Sequence, residues 1–75
     1  MNELIGKRVK YEDYLGAIQY GRIVQVYPNK QDHELLNLAI QNEDKFYNRN
    51  NIQDLNGNWI AIDGIYKSDK CILLP

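Results

Sequence analysis

Apolar and polar residues alternate along several short segments of this chain, and turn-forming residues separate those segments. In the segment from Lys7 to Tyr11, Val9 and Tyr11 fall on one side, whereas Arg8 and Lys10 fall on the other. A period of two is the pattern of a half-buried strand. The chain is therefore predicted to be all-β, with about five to six short antiparallel strands.

The longest extended segment runs from Ile18 to Tyr27 and contains Gly21. A glycine inside a strand is typical of a bulge or a sharp bend. Pro28 is expected to end this strand, because proline cannot donate to a β-ladder. Further along, Asn56-Gly57 indicates a type I′ turn, and residues 59–62 continue from it as a strand, so a hairpin is predicted there.

Residues 33–41 allow two interpretations. As a strand, Leu36, Leu38 and Ile40 alternate with residues 37, 39 and 41; as a helix, residues 35, 36, 39 and 40 form an apolar stripe, and Asp32 caps it. We favour the strand because β-type segments flank it and residues 42–45 can supply a hairpin turn. Residues 45–49 are then expected to form a short aromatic strand. An α+β fold with a helix at 33–43 is the alternative.

Composition places the chain among folded globular domains. Hydrophobic residues make up 44% and charged residues 25% of its 75 residues, and one core is all that this length can build. A single domain spanning residues 1–75 is predicted. The net charge of -1 is spread evenly along the chain, without the basic excess that usually accompanies nucleic-acid binding.

No apolar run approaches the ~20 residues that a membrane-spanning helix needs. The first residues also lack the basic segment followed by an apolar stretch that makes a secretory signal. Cys71 is the only cysteine, so no internal disulfide can form. A cytoplasmic protein without membrane contact is expected.

Residues for catalysis or metal binding are scarce. His33 and Cys71 are each the only one of their kind, Ser68 is the only serine, and threonine is absent. Metal sites need three or four converging ligands, and a phosphate-binding loop needs regularly spaced glycines before a helix. The sequence therefore predicts a protein that is not an enzyme and holds no metal or cofactor.

Four segments of the chain together resemble small SH3-like and Tudor-like barrels. They are Gly6 to Tyr11, Tyr20 to Val26, Leu36 to Ile40, and Ile52 to Leu55, so the resemblance covers roughly residues 6–55. It implies a small SH3-like barrel, with the C-terminal hairpin extending or covering it. Such barrels often gather aromatic residues on a rim that binds another macromolecule.

The predicted protein-binding residues centre on Tyr14, which lies in a polar loop and has no alternating partner. Acidic residues accompany it in this loop and in the next one, where they would steer a basic partner. The competing interpretation is that the aromatic residues complete the core and the charged loops are merely solvated. The predicted set is Tyr14, Glu12, Asp13, Asp32, Glu34 and Tyr47.

A nucleic-acid-binding face is the main alternative. It would use basic residues on the first two strands, which otherwise protect an edge strand from aggregation. Its residues are Lys7, Arg8, Lys10 and Arg22.

A second alternative is a structural subunit of a homo-oligomer, favoured if Ile23, Tyr27 and Leu73-Leu74 form one exposed patch. No oligomeric state follows from the sequence. The chain is also rich in residues with AT-rich codons, including nine asparagines, which points to a low-GC bacterium, its phage or a mobile element. The leading hypothesis is thus an accessory protein that docks on a larger host or phage protein and modulates or inhibits it.

Overall fold

The computed structural model describes residues 2–75, which form seven β-strands and two short 3-10 turns. The fold is all-β, as the alternation predicts. Residues 36–42 form a strand, so the alternative helix at 33–43 is wrong. The strands are β1 (Arg8–Glu12), β2 (Ile18–Pro28), β3 (Leu36–Asn42), β4 (Asn50–Gln53), β5 (Trp59–Ile62), β6 (Gly64–Lys67) and β7 (Cys71–Leu73), and the turns are Lys45–Tyr47 and Ser68–Lys70.

Five strands form one antiparallel sheet in the order β6-β3-β2-β1-β7, while β4 and β5 form a separate two-stranded hairpin. Beyond β5, strand β6 adds to β3 and strand β7 adds to β1, so the C-terminal part of the chain covers both outer strands of a three-stranded meander. Within residues 2–75 no closed barrel is found.

The core lies on one face of the five-stranded sheet. Val9 and Tyr11 of β1 are buried, whereas Arg8, Lys10 and Glu12 between and beside them are not, as the period of two predicts. A fully buried side chain of this size stabilises a fold by about 1.5–3 kcal/mol relative to an exposed one. The central cluster comprises Val9, Tyr11, Ile23, Leu38, Ile40 and Tyr66.

Gly21 permits a close approach between two strands rather than a bulge. A Cβ atom at this position would overlap the carbonyl oxygen of Gln41 in β3. The irregularity in the pairing of β2 with β3 comes slightly later, between Ile23 and Gln25. The predicted bulge therefore occurs in β2 but not at Gly21. Gly21 instead allows the backbones of β2 and β3 to approach each other closely.

Residues 45–49 do not form the expected aromatic strand, and residues 42–45 do not make a hairpin turn. Asp44 caps the 3-10 turn instead, because its carboxylate accepts a hydrogen bond from the backbone N–H of Phe46 at 3.0 Å. Local side-chain bonds of this kind compete with strand pairing. The neighbours of strand β3 are therefore β2 and β6, not a strand formed by residues 45–49. Phe46 and Tyr47, in the 3-10 turn, are exposed to solvent.

None of the helical turns within residues 2–75 has the length and apolar character required to cross a bilayer.

Candidate functional site

The loop between β1 and β2 presents Tyr14 and Leu15 at the surface. The Asp13 carboxylate accepts hydrogen bonds from the backbone N–H groups of Leu15 and Ala17, both at 2.9 Å. The N–H of Gly16 donates to the Asp13 carbonyl, and Gly16 has a φ of 82°, a conformation that side-chain-bearing residues rarely adopt. The loop therefore leaves its two middle residues largely exposed, with Tyr14 74% and Leu15 94% exposed.

The loop between β4 and β5 has the same construction. The Asp54 carboxylate accepts from the N–H groups of Asn56 and Asn58, and Gly57 donates to the Asp54 carbonyl with a φ of 82°. The predicted hairpin is confirmed. Its turn is not type I′, because Gly57 has a positive φ and Asn56 does not. Leu55 at its tip is 97% exposed.

Tyr14 leans back over the core tyrosines. Its hydroxyl donates to the carbonyl of Ile65 at 2.7 Å, and its ring centroid lies 4.5 Å from that of Tyr66. The Tyr66 ring in turn lies 5.0 Å from Tyr11. Gly64 leaves the space for this packing, since a Cβ there would sit 3.0 Å from the Tyr14 ring.

Tyr14 lines several depressions, two of which also contain Asp13 and Tyr66. We call the one of about 450 Å³ the Lys67 groove and the one of about 340 Å³ the Tyr47 groove. The Lys67 groove is lined by Glu12, Asp13, Tyr14, Gly16, Ile65, Tyr66, Lys67 and Lys70. The Tyr47 groove is lined by Asp13, Tyr14, Leu15, Tyr47, Arg49, Asn50, Asp63 and Tyr66.

The Tyr47 groove carries two carboxylates and one guanidinium. Burial acts to raise the pKa of the Asp13 carboxyl, but hydrogen bonds from Ala17, Gln19 and Leu15 outweigh it and hold that pKa below its ordinary value. Arg49 lies across the groove and donates to the carbonyl of Phe46. The groove therefore has an acidic balance.

Beneath this groove lies a buried polar network. Tyr11 donates its hydroxyl hydrogen to Asp63 Oδ2 and accepts from the Asn42 amide at 2.8 Å. Burial, together with the bond to Asp63, raises the pKa of Tyr11 far above its usual value. Tyr66 is only 4% exposed, and its hydroxyl has no hydrogen-bond partner within residues 2–75. Burial and the nearby Asp63 charge likewise raise the pKa of Tyr66.

An apolar rim continues from the Tyr47 groove. Phe46 is 76% exposed and shares a shallow depression with Tyr47 and Arg49, both of which also line the Tyr47 groove. Leu15, in the β1–β2 loop, also lines the Tyr47 groove. Four large side chains with substantial exposure, which we call the aromatic rim, lie along the groove and this depression: Tyr14, Leu15, Phe46 and Tyr47.

The predicted protein-binding residues divide into two groups. Asp13, Tyr14 and Tyr47 meet at the Tyr47 groove, and Glu12 lines the Lys67 groove, where Lys70 lies 3.4 Å from its carboxylate. Asp32 and Glu34 line neither groove. In their own loop, the Asp32 carboxylate accepts from the N–H of Glu34.

Several residues that line the Tyr47 groove were not predicted from the sequence. Asp63 and Tyr66 come from the end of the chain, and only the pairing of β6 with β3 brings them to the β1–β2 loop. The sequence does contain a pattern that indicates an exposed loop around Leu15. It is the spacing Asp-x-x-Gly, which residues 13–16 and residues 54–57 share.

The predicted basic face is partly assembled. Arg8 and Arg22 are register partners in β1 and β2, and Lys10 lies opposite Tyr20. Arg8 forms an ion pair with Glu43, and the hydrogen bond from Arg8 holds the pKa of the Glu43 carboxyl below its usual range. Arg22 donates to the carbonyl of Gly6, and Lys7 is exposed just before β1.

The exposed patch considered for a homo-oligomer does not form. Ile23 is completely buried in the core, because it lies on the same face of the sheet as Val9. Tyr27 is half-buried, and Leu73 is exposed on the outer strand β7. The three positions therefore do not make one apolar surface.

Among residues 2–75, no three histidine, cysteine or acidic side chains come close enough to hold a metal ion. Cys71 is half-buried, and burial, with a smaller effect of the Asp69 charge, raises the pKa of its thiol to about 11. This cysteine is consequently a poor nucleophile at neutral pH.

Comparison of the chain with protein-family models, curated proteins and solved structures finds no match. The SH3-like resemblance therefore stays a prediction, and the site has to be interpreted from its own geometry.

Proposed function

We propose that this chain is a non-enzymatic protein-binding module whose partner docks on the aromatic rim and the Tyr47 groove. The observation that carries the proposal is the exposure of apolar side chains from two separate loops along the Tyr47 groove and the depression beside it, with Leu15 94% and Phe46 76% exposed. Exposed apolar clusters of this kind mark interaction surfaces, and aromatic residues supply much of the binding energy in protein interfaces.

The charges of the groove favour a basic partner segment. Asp13 and Asp63 outnumber Arg49 among the lining residues. An acidic groove steers a positively charged surface and orients it on contact. We place this activity in the cytoplasm of a low-GC bacterium or an infected cell, where the chain would modulate or inhibit a larger host or phage protein.

Two exposed leucines provide a matched test. Leu15 and Leu55 occupy Asp-x-x-Gly loops of the same construction, but Leu15 lines the Tyr47 groove and Leu55 lines neither groove. The wild type, Leu15→Ser and Leu55→Ser would each be immobilised and exposed to a low-GC bacterial lysate, and the bound proteins quantified by mass spectrometry. We expect the wild type and Leu55→Ser to enrich the same protein and Leu15→Ser to lose it.

Equal enrichment by both variants would show that the partner binds elsewhere. Recovery of nucleic acid in place of protein would contradict the proposal altogether. A partner identified in this way would then be purified and its affinity measured by calorimetry for the same three chains.

Nucleic-acid binding is the second candidate, favoured by the pairing of Arg8 with Arg22 across β1 and β2. The Glu43 carboxylate opposes it by neutralising Arg8. Affinity for DNA and RNA would be measured at two salt concentrations, because binding driven by phosphate contacts weakens steeply with salt. Steep salt dependence, lost on charge reversal of Arg8 and Lys10, would support this candidate.

A further inference from the structure

We infer that the Tyr47 groove accepts a primary ammonium group, the head of an unmethylated lysine side chain, and that Asp63 and Tyr66 receive its hydrogen bonds. This inference rests on the proposed function and names the chemical group of the partner that enters the groove.

The first reason is the Asp63 carboxylate. Its Oδ2 atom accepts from Tyr11, and the Tyr66 hydroxyl lies near this carboxylate without making a hydrogen bond of ordinary geometry to it. Asp63 is only half-buried and lines the groove, so its carboxylate can accept from a ligand that enters the groove. A half-buried carboxylate that one hydrogen bond already orients is an anchor for a cationic donor.

The second reason is the Tyr66 hydroxyl. A buried polar group without a partner destabilises a fold by about 1–3 kcal/mol, so natural proteins rarely retain one without another use for it. Phenylalanine would fill the same space without this penalty. Tyr66 lines the same groove as Asp63, and its hydroxyl can complete the hydrogen bonds of an N–H donor there.

The third reason is the aromatic surround. Tyr14, Tyr47 and Tyr66 all line the groove, and ring faces attract cations and cover an alkyl stem. The Tyr14 ring packs against the Tyr66 ring, its hydroxyl donates to the carbonyl of Ile65, and the residue as a whole is 74% exposed. We expect the entering ammonium to approach the hydroxyl beside this ring, with the exposed face of Tyr14 against its alkyl stem.

These acceptors discriminate between cations. A quaternary ammonium has no N–H and would leave both Tyr66 and Asp63 without a hydrogen bond. A guanidinium is planar and wide, and Arg49 already occupies one side of the groove. A primary ammonium presents three donors from one compact centre.

The test uses small probes on the full chain. Butylammonium, butyltrimethylammonium and butylguanidinium would be titrated at constant ionic strength against the 15N-labelled protein, with amide shifts recorded by NMR. We expect butylammonium to bind roughly tenfold or more tightly than the other two, as a hydrogen bond to a charged group implies. The shifts should concentrate at residues 13–16 and 63–66.

Tyr66→Phe separates a ligand role from a structural one. It should weaken butylammonium binding by roughly tenfold, leave butyltrimethylammonium binding unchanged, and leave the free protein at least as stable as the wild type. Glu34→Gln removes one negative charge outside both grooves and should change neither affinity. Asp63→Asn should also abolish the preference for the primary amine, and Tyr66→Phe remains informative if that variant unfolds.

Equal binding of the quaternary probe, or unchanged butylammonium affinity in Tyr66→Phe, would overturn the inference. Absence of ammonium binding together with partner capture that depends on Leu15 would also overturn it while leaving the proposed function intact. Loss of the Leu15 dependence would instead count against the proposed function itself.

Discussion

Tyr14 packs its ring 4.5 Å from the ring of Tyr66, at an interplanar angle of 31°, although one residue lies at the tip of a loop and the other in the core. This contact connects the exposed aromatic rim to the core cluster, to which Tyr66 belongs. A loop residue that is held in this way presents its free face to a partner without first having to become ordered, which reduces the entropic cost of binding.

Gly64 should be needed for this contact. In Gly64→Ala the new methyl group would meet the Tyr14 ring at 3.0 Å and the Tyr66 ring at 3.3 Å, so we expect a loss of about 1–3 kcal/mol in the free energy of unfolding. Urea denaturation measures this loss. The Tyr14→Ala, Gly64→Ala double variant should lose less than the sum of the two single variants, because the first clash is gone. Strict additivity would contradict the predicted contact.

Tyr11 and Tyr66 should respond oppositely to removal of their hydroxyls. Tyr11→Phe removes the hydrogen bond donated to Asp63 and the hydrogen bond accepted from the buried Asn42 amide. It should therefore lower the free energy of unfolding by about 1–3 kcal/mol. Tyr66→Phe removes a hydroxyl without a partner and should be neutral or stabilising. Thermal unfolding of the two variants, which each lose one oxygen atom, provides the comparison; a similar loss in both would contradict it.

The β1–β2 loop should contribute to acid sensitivity. Because hydrogen bonds hold the pKa of Asp13 lower in the folded chain than in the unfolded one, its contribution to stability is present above the unfolded-state pKa and lost as the pH falls through the folded-state pKa. Asp13→Asn keeps an acceptor oxygen but cannot titrate, so its stability should decline less steeply below about pH 4. Urea midpoints across the acid range measure the slope. Glu34→Gln, which loses a charge without losing a side-chain hydrogen bond, should retain the wild-type slope.

Gly16 should be required for the shape of the same loop. Its φ of 82° costs a β-carbon-bearing residue about 1–2 kcal/mol, although no atom lies within 4 Å of the Cβ position. Gly16→Ala should therefore lower stability through backbone strain alone, and Gly16→Asn should lower it less, because asparagine tolerates this conformation better. Chemical denaturation of both variants tests the order. An alanine variant as stable as the wild type would indicate that the loop has another conformation.

Local sequence patterns predicted most of the strands and little of the site. Alternation located β1 and β2, and the flanking β segments correctly favoured a strand at 36–42. The strand predicted at 45–49 was wrong because Asp44 offers the Phe46 N–H a closer partner than a neighbouring strand does. No local pattern reports such competition.

The groove could not be predicted because it depends on long-range pairing. Tyr14 was identified from its isolation in a polar loop, and Tyr47 from its aromatic character. Asp63 and Tyr66 lie beside Tyr14 and Tyr47 only because β6 pairs with β3. In that pairing Leu38 lies opposite Tyr66. Sequence periodicity specifies which face a residue occupies, but it does not specify which strands become neighbours.

Mapping the bound surface tests the central claim most directly. The 15N-labelled chain would be titrated with the partner recovered by the wild type and by Leu55→Ser, and amide shifts followed residue by residue. We predict that the largest changes fall at residues 13–16, 46–50 and 63–66, around the aromatic rim and the Tyr47 groove. Changes concentrated instead at residues 7–10 and 20–22, or along β7, would contradict the account.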